Sequence, residues 1–233
     1  GLGGVEARLN RLGDDDVVMV EVGCGVGNAL FPLLRANPRL FGMSFDASAE
    51  AIAHLCARPE YLSGRAHAFV ADAVYLARAV LSEFGEAARS DPRSGFDSVR
   101  PLLELRGGAD FVTAVWTLSA IDPHDFRVVA AGLFALVSPG GILFVRDYAE
   151  GDLAQARLAA AAPEREIGEG LFVRGDGTRS FFFSLEFMRE IFEGVGFETV
   201  ENEYIRREIV NRKEGMNMQR VWIQAKFRRP VDS

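Results

Sequence analysis

The sequence predicts an α/β fold built on a largely parallel sheet. Short β-branched runs alternate with stretches of helical spacing. A glycine-rich turn directly follows the first run, an acid directly follows the second, and another stands just past the third. Open α/β sheets hold ligands at the carboxyl ends of their strands, so site residues should gather there.

The first strand is Val17–Val22, behind the acidic cluster Asp14, Asp15 and Asp16. Residues 28–36 carry Leu30, Leu33 and Leu34 at helical spacing, and Pro38 ends that helix. Residues 40–45 read as the second strand. Asp46 and Ser48 then offer N-cap chemistry to a helix reaching about Ala57. A third strand covers 67–70 and a helix runs from Ala73 to about Phe84. Residues 90–108, rich in Gly, Pro, Ser and charge, read as a surface loop, part of an insertion over 88–108. Ala109–Val115 is the fourth strand and 125–137 a helix. The fifth strand, 142–146, follows the turn Pro139-Gly140-Gly141. A helix over 185–194, a long strand over 198–210 and a last strand over 220–227 complete the chain. The connection 147–184 is unusually long and leaves the carboxyl end of the fifth strand, which makes it the candidate specificity element.

With 233 residues, 48% hydrophobic and 25% charged, the chain suits a single domain over 1–233, with a monomer as the default. No run approaches 18 apolar residues, so no membrane-spanning helix is expected. The start, Gly1-Leu2-Gly3-Gly4, lacks the charged and apolar regions of a secretory signal. Cys24, Cys56, His54, His67 and His124 show no metal-ligand spacing. No metal site or disulfide framework is expected, and a reducing compartment such as the cytoplasm fits, with mitochondrion and nucleus left open. The net charge of −7 argues against nucleic-acid binding by the whole surface. Residues 202–233 differ: eight Lys/Arg against four acids give +4 there and −11 elsewhere.

The strongest local motif is Glu21-Val22-Gly23-Cys24-Gly25-Val26-Gly27-Asn28, after a strand and opening a helix. Glycines at such a turn let the backbone pass close to a ligand. The nicotinamide fingerprint G-x-G-x-x-G requires a glycine where Asn28 stands, so it fails by one residue. Asp46 lies 19 residues beyond Gly27, where a carboxylate can accept hydrogen bonds from both hydroxyls of a ribose, a role compatible with helix capping. Asp72, in Phe69-Val70-Ala71-Asp72-Ala73, reads alone as another cap. Three such features in order at three consecutive strand ends point to one adenosyl ligand. Trp116, inside an apolar run, reads as a core residue.

The turn E-V-G-C-G-V-G resembles motif I of the class I methyltransferases, whose cofactor, S-adenosylmethionine, carries no phosphate. Five segments extend the likeness: EVGCGVGNALFPLL (21–34), LSAI (118–121), SPGGILFVRDY (138–148), FVRGDGTR (172–179) and VNRKEGMNMQRVWIQAK (210–226). In order over most of the chain, they resemble the eukaryotic tRNA 3-methylcytidine methyltransferases of the methyltransferase-like group. The resemblance implies a Rossmann-like, mostly parallel seven-stranded sheet of order 3-2-1-4-5-7-6. Its last strand is antiparallel, helices cover both faces, and an insert follows strand 5. It implies cofactor contacts at Glu21, Gly23, Gly25, Asp46, Ala47, Asp72, Ala73 and Val115, with Asp72 at the adenine amino group. It places RNA-side residues at Arg146, Arg157, Arg174, Asp176, Arg179, Asn211 and Arg220, and Asp147 and Tyr148 at the reaction. The implied partners are tRNA and an aminoacyl-tRNA synthetase. Family members also carry an aromatic-rich segment before motif I, and with 16 residues ahead of Val17 that segment is expected to be missing.

On this reading N3 of an unpaired or flipped cytosine, in an anticodon loop for example, attacks the sulfonium methyl without needing a general base. Asp147 would stabilise the cationic product, and Tyr148 or Trp116 would stack on the base. Two alternatives stay open: a methyltransferase acting on protein or a small molecule, and a cofactor-binding module inactive without a further segment or partner.

Overall fold

The computed structural model describes residues 2–211 and 216–231. The chain runs α1 (Leu2–Leu9), β1 (Val17–Val22), α2 (Leu30–Ala36), β2 (Leu40–Asp46), α3 (Ala49–Cys56) and β3 (Ala66–Val70). It continues through α4 (Ala73–Val80), α5 (Gly85–Arg89), α6 (Phe96–Arg106), β4 (Ala109–Val115), α7 (Phe126–Leu136) and β5 (Val137–Tyr148). Next come α8 (Leu153–Ala161), β6 (Glu166–Gly168), β7 (Leu171–Val173), β8 (Arg179–Phe181), α9 (Leu185–Glu193), β9 (Glu198–Asn211) and β10 (Met216–Arg228).

Seven strands form one sheet in the order β3-β2-β1-β4-β5-β10-β9. β1 to β5 pair in parallel, and β10 runs antiparallel to both β5 and β9. Counted within this sheet the order is 3-2-1-4-5-7-6, as the resemblance implied. The direction of strand addition reverses between β1 and β4, which opens the crevice at their carboxyl ends.

β1 shows why the strands read as unbroken apolar runs. Val18, Val20 and Val22 face one core with Phe41, Met43 and Phe45, while Met19 faces the other with Leu30, Phe31, Leu34 and Leu55. Helices cover both faces, so alternation in the backbone leaves no alternation in polarity. Each such side chain, fully buried, stabilises the fold by roughly 1.5–3 kcal/mol.

Residues 90–108 are not a loop throughout: α6 occupies Phe96–Arg106 and buries Val99 and Leu102. Pro101 and four charged residues hide its apolar face in sequence, and left-handed Gly95 and Gly107 bound it. The helix expected to reach Phe84 stops at Val80. β5 begins before Gly141, with a register shift against β4 taking up the turn. The insert holds α8 and a small antiparallel sheet, β6-β7-β8. No helix among the described residues is long and apolar enough to cross a membrane, and none of their His, Cys, Asp and Glu side chains group as metal ligands.

Candidate active site

The carboxyl ends of β1 to β4 enclose a crevice of ≈ 490 Å³. Gly23, Asp46, Ala47, Asp72 and Ala73 line it, together with Tyr75, Arg78, Trp116, Thr117, Ile121, Asp122 and Arg179. Asp46 and Asp72 therefore meet beside the glycine turn.

Local backbone chemistry fixes each of these groups. Gly25, at φ 52°, donates its N–H to Asp46 Oδ2 at 2.9 Å, and Ser48 N–H donates to Oδ1 at 2.9 Å. Ser48 in turn caps α3. Asp46 thus ties the glycine turn to the start of α3 while facing the crevice. Gly23, at φ 67°, is irreplaceable for a second reason: a Cβ there would lie 2.4 Å from Thr117 Oγ1. Thr117 occupies that space because its hydroxyl donates to the Val22 carbonyl at 2.9 Å. Asp72 caps α4 through Oδ1, accepting from Val74 and Tyr75 N–H at 2.8 and 3.3 Å.

Trp116 is not a core residue. Its backbone is left-handed at φ 59°, alone among described non-glycine residues, and its side chain is 41% exposed. Such a conformation costs of order 1–3 kcal/mol and persists where surrounding structure imposes it. Here Trp116 N–H donates to the Arg146 carbonyl at 2.8 Å, which closes β4 against β5 and swings the indole outward. The ring meets Tyr148 at 5.1 Å and Trp222 at 5.6 Å between centroids. Tyr148 also packs on Phe182, and the Arg174 guanidinium lies 5.1 Å from its ring centroid.

The remaining sequence-predicted residues are distributed around this centre. Val115 does not line the crevice; Trp116 and Thr117, one and two residues on, do. Asp147 is fully buried and does not line it either: Oδ2 accepts from Ser119 N–H at 3.0 Å and Oδ1 from Tyr148 N–H at 2.9 Å. Burial pushes its carboxyl up to about 6 against the opposing effect of these donors. Its place as a charge facing the reacting base is thereby corrected to a place beneath the 118–120 turn. Arg146 packs on Trp222. Arg179 reaches the crevice from the insert and pairs with Asp122 at 3.2 Å. Arg157, Arg174 and Arg220 surround a separate, largely apolar groove between α8 and β10. Arg220 is held there by buried Asp152 at 3.0 Å. Asp176 accepts from the Thr178 N–H and hydroxyl in the turn that follows Arg174, and lines neither place. Asn211 ends β9, and its side chain lies outside the described residues, as do Arg212 and Lys213 of the basic tail. Two further tail cations serve the fold: Lys226 pairs with Glu201, and Arg229 donates to the Phe134 and Val137 carbonyls.

Glu21 lies under the glycine turn rather than in the crevice. It is 4% exposed and Oε2 has no hydrogen-bond partner. Burial, then the charge of Asp46, pushes its carboxyl up to about 7. Folding therefore favours the protonated form. The stability this contributes is present below about pH 4.5 and lost as pH rises through about 7. By linkage the span is about 3 kcal/mol. Glu21→Gln is expected to raise the melting midpoint at pH 8 by several degrees and to flatten its decline between pH 4.5 and 7. A parallel, undiminished decline in scanning calorimetry of the variant would show that Glu21 stays ionised.

Comparison with known proteins agrees with this geometry. A family model described as a methyltransferase domain matches residues 4–202. The chain is 37% identical to the tRNA N(3)-cytidine methyltransferase METTL6 of Mus musculus, over 92% of this chain and 67% of that protein. It is 36% identical to the tRNA N(3)-cytidine methyltransferase METTL2 of Danio rerio, over 91% of this chain and 53% of that one. It thus spans between about half and two thirds of these relatives. A SAM-dependent methyltransferase from Methanosarcina mazei superposes with a TM-score of 0.60 at 14% identity, over 97% of this chain and 98% of that one, and shares the fold. The chain belongs to the methyltransferase-domain family, in the group that holds the tRNA N(3)-cytidine methyltransferases.

Proposed function

We propose that this chain methylates N3 of a cytidine in tRNA, using S-adenosylmethionine held in the crevice at the ends of β1 to β4. The observation that carries the cofactor is the convergence of Gly23, Asp46 and Asp72 on one cavity. The residues fit an adenosyl group. Asp46 keeps lone pairs for ribose hydroxyls after accepting from Gly25 and Ser48. The described bonds of Asp72 fall on Oδ1, which leaves Oδ2 for a purine amino group. When bound, the cofactor supplies a methyl group on a sulfonium centre.

The rest is positioning by the chain. Cytosine N3 has a free lone pair at neutral pH, so no side chain need remove a proton. Trp116, on the crevice wall, and Tyr148, packed against it, offer ring faces to a flipped base. Arg179 there, and Arg174 at the Tyr148 ring, supply positive charge for the RNA backbone. An aminoacyl-tRNA synthetase that presents the tRNA is part of the same reading, and two free cysteines suit a cytoplasmic setting. Incubation with labelled cofactor and total tRNA, followed by nucleoside mass analysis, is expected to yield 3-methylcytidine in tRNA, at a rate falling steeply with added salt. Label on another nucleoside, or on added protein in preference to tRNA, would overturn the substrate.

A further inference from the structure

One feature of the crevice comes from the 88–108 insertion. Residues 91–95 lie across the carboxyl end of β3. The Arg93 carbonyl accepts the Asp72 N–H at 2.8 Å. Gly95, left-handed at φ 58°, presses on the same strand end so closely that a Cβ would lie 2.8 Å from Ala71 Cβ and 2.9 Å from the Phe69 ring. Ser94, 1% exposed, accepts from Phe96 N–H and donates to the Arg89 carbonyl, which pins the segment to α5 and α6.

Arg93 connects this segment to the crevice wall. Its guanidinium carbon sits 3.5 Å from the centroid of the Tyr75 ring. Tyr75 lines the crevice from the first turn of α4, which Asp72 caps. Arg93 has little freedom to leave: Nε and Nη2 donate to the two oxygens of Asp91 at 2.9 and 2.7 Å, and Arg93 N–H donates to Asp91 Oδ1 at 2.9 Å. This fork-to-fork pair holds the Asp91 carboxyl at about 2, so it stays ionised at any working pH.

We propose that residues 91–95 form a clip that shapes the purine end of the crevice, with Arg93 as a positioning residue that fixes the Tyr75 ring through its locked contact. Asp91 orients Arg93, Arg93 orients Tyr75, and Tyr75 bounds the space beside Asp72 where a purine would lie. The clip acts on the nucleoside and not on the nucleic acid, because it sits at the end of β3, three strands across the sheet from β4, which Trp116 follows. The inference rests on the reading that the crevice takes an adenosyl cofactor.

Titration calorimetry with S-adenosylhomocysteine and steady-state kinetics test it together. Arg93→Ala is expected to raise the dissociation constant for S-adenosylhomocysteine and the KM for S-adenosylmethionine about 3–10-fold. The kcat, the KM for tRNA and the melting midpoint should stay at wild-type values. Asp91→Ala should reproduce the effect, the double variant should be no worse than Arg93→Ala alone, and Arg93→Lys should fall between. An unchanged dissociation constant in Arg93→Ala, or an Asp91→Ala effect that adds to it in full, overturns the clip. Failure of the wild-type protein to bind S-adenosylhomocysteine at all would instead remove the cofactor reading, a result separable from the first.

Discussion

Asp46→Ala is expected to weaken S-adenosylhomocysteine binding at least about 100-fold, the largest effect of any single change at the cofactor end. The carboxylate acts in two directions. Within the protein it gathers the Gly25 and Ser48 N–H groups at 2.9 Å each, so the glycine turn and the start of α3 share one anchor. Toward the crevice it presents the lone pairs proposed for the ribose. Hydrogen bonds to a charged group each contribute about 1.5–3 kcal/mol, so losing two ribose bonds accounts for about two orders of magnitude, and loosening of the turn adds to the loss. Asp46→Asn keeps one acceptor and the shape of the side chain, so its loss should be about tenfold smaller. Removing the Asp46 charge also eases the ionisation of Glu21. The unliganded variant should therefore retain a melting midpoint close to wild type at pH 8 while binding collapses. Calorimetry on both variants checks this; binding within about threefold of wild type for Asp46→Ala would mean the ribose is held elsewhere.

The cofactor half of this site was legible in the sequence because backbone topology dictates it. A β-branched run ending in a glycine turn, and acids one and two residues past two further runs, place Gly23, Asp46 and Asp72 at neighbouring strand ends whatever the side chains around them do. The base-side half obeys local geometry that composition conceals. Trp116 sits in an apolar run and reads as core, but its left-handed φ turns the ring to solvent. Arg174 stands two residues from Asp176 and invites an ion pair, yet it packs on Tyr148 while Asp176 accepts from Thr178. α6 stays hidden in the sequence because its buried residues are few and Pro101 lies among them. For Asp147 a signal was present: Leu143, Val145 and Ala149 are buried on the same face of β5 and its continuation. Period-two alternation put Asp147 among them, and its charge argued the other way.

Asp147→Ala should reduce kcat/KM by roughly 10–100-fold and stability by about 1–3 kcal/mol, the cost of stranding buried donors. The carboxylate holds Ser119 N–H and Tyr148 N–H from below, and the turn it supports, Leu118–Ala120, leads into Ile121 and Asp122 on the crevice wall. A direct electrostatic role toward the base predicts a different outcome from an anchoring role, and Asp147→Asn separates them. If the negative charge itself acted on the reacting base, Asn would lower kcat and leave cofactor affinity untouched. As an anchor it should disturb both, because the amide sets an N–H against one of the two donors and releases the turn. The pH dependence carries a second mark. Burial raises the folded carboxyl from its ordinary value of 3.8 to about 6, so the stability favouring the protonated form is present below about pH 3.8 and lost as pH rises through about 6. Asp147→Asn should erase that part of the decline. Wild-type affinity for S-adenosylhomocysteine in Asp147→Asn, with kcat alone reduced, would show that the buried charge reaches the chemistry after all.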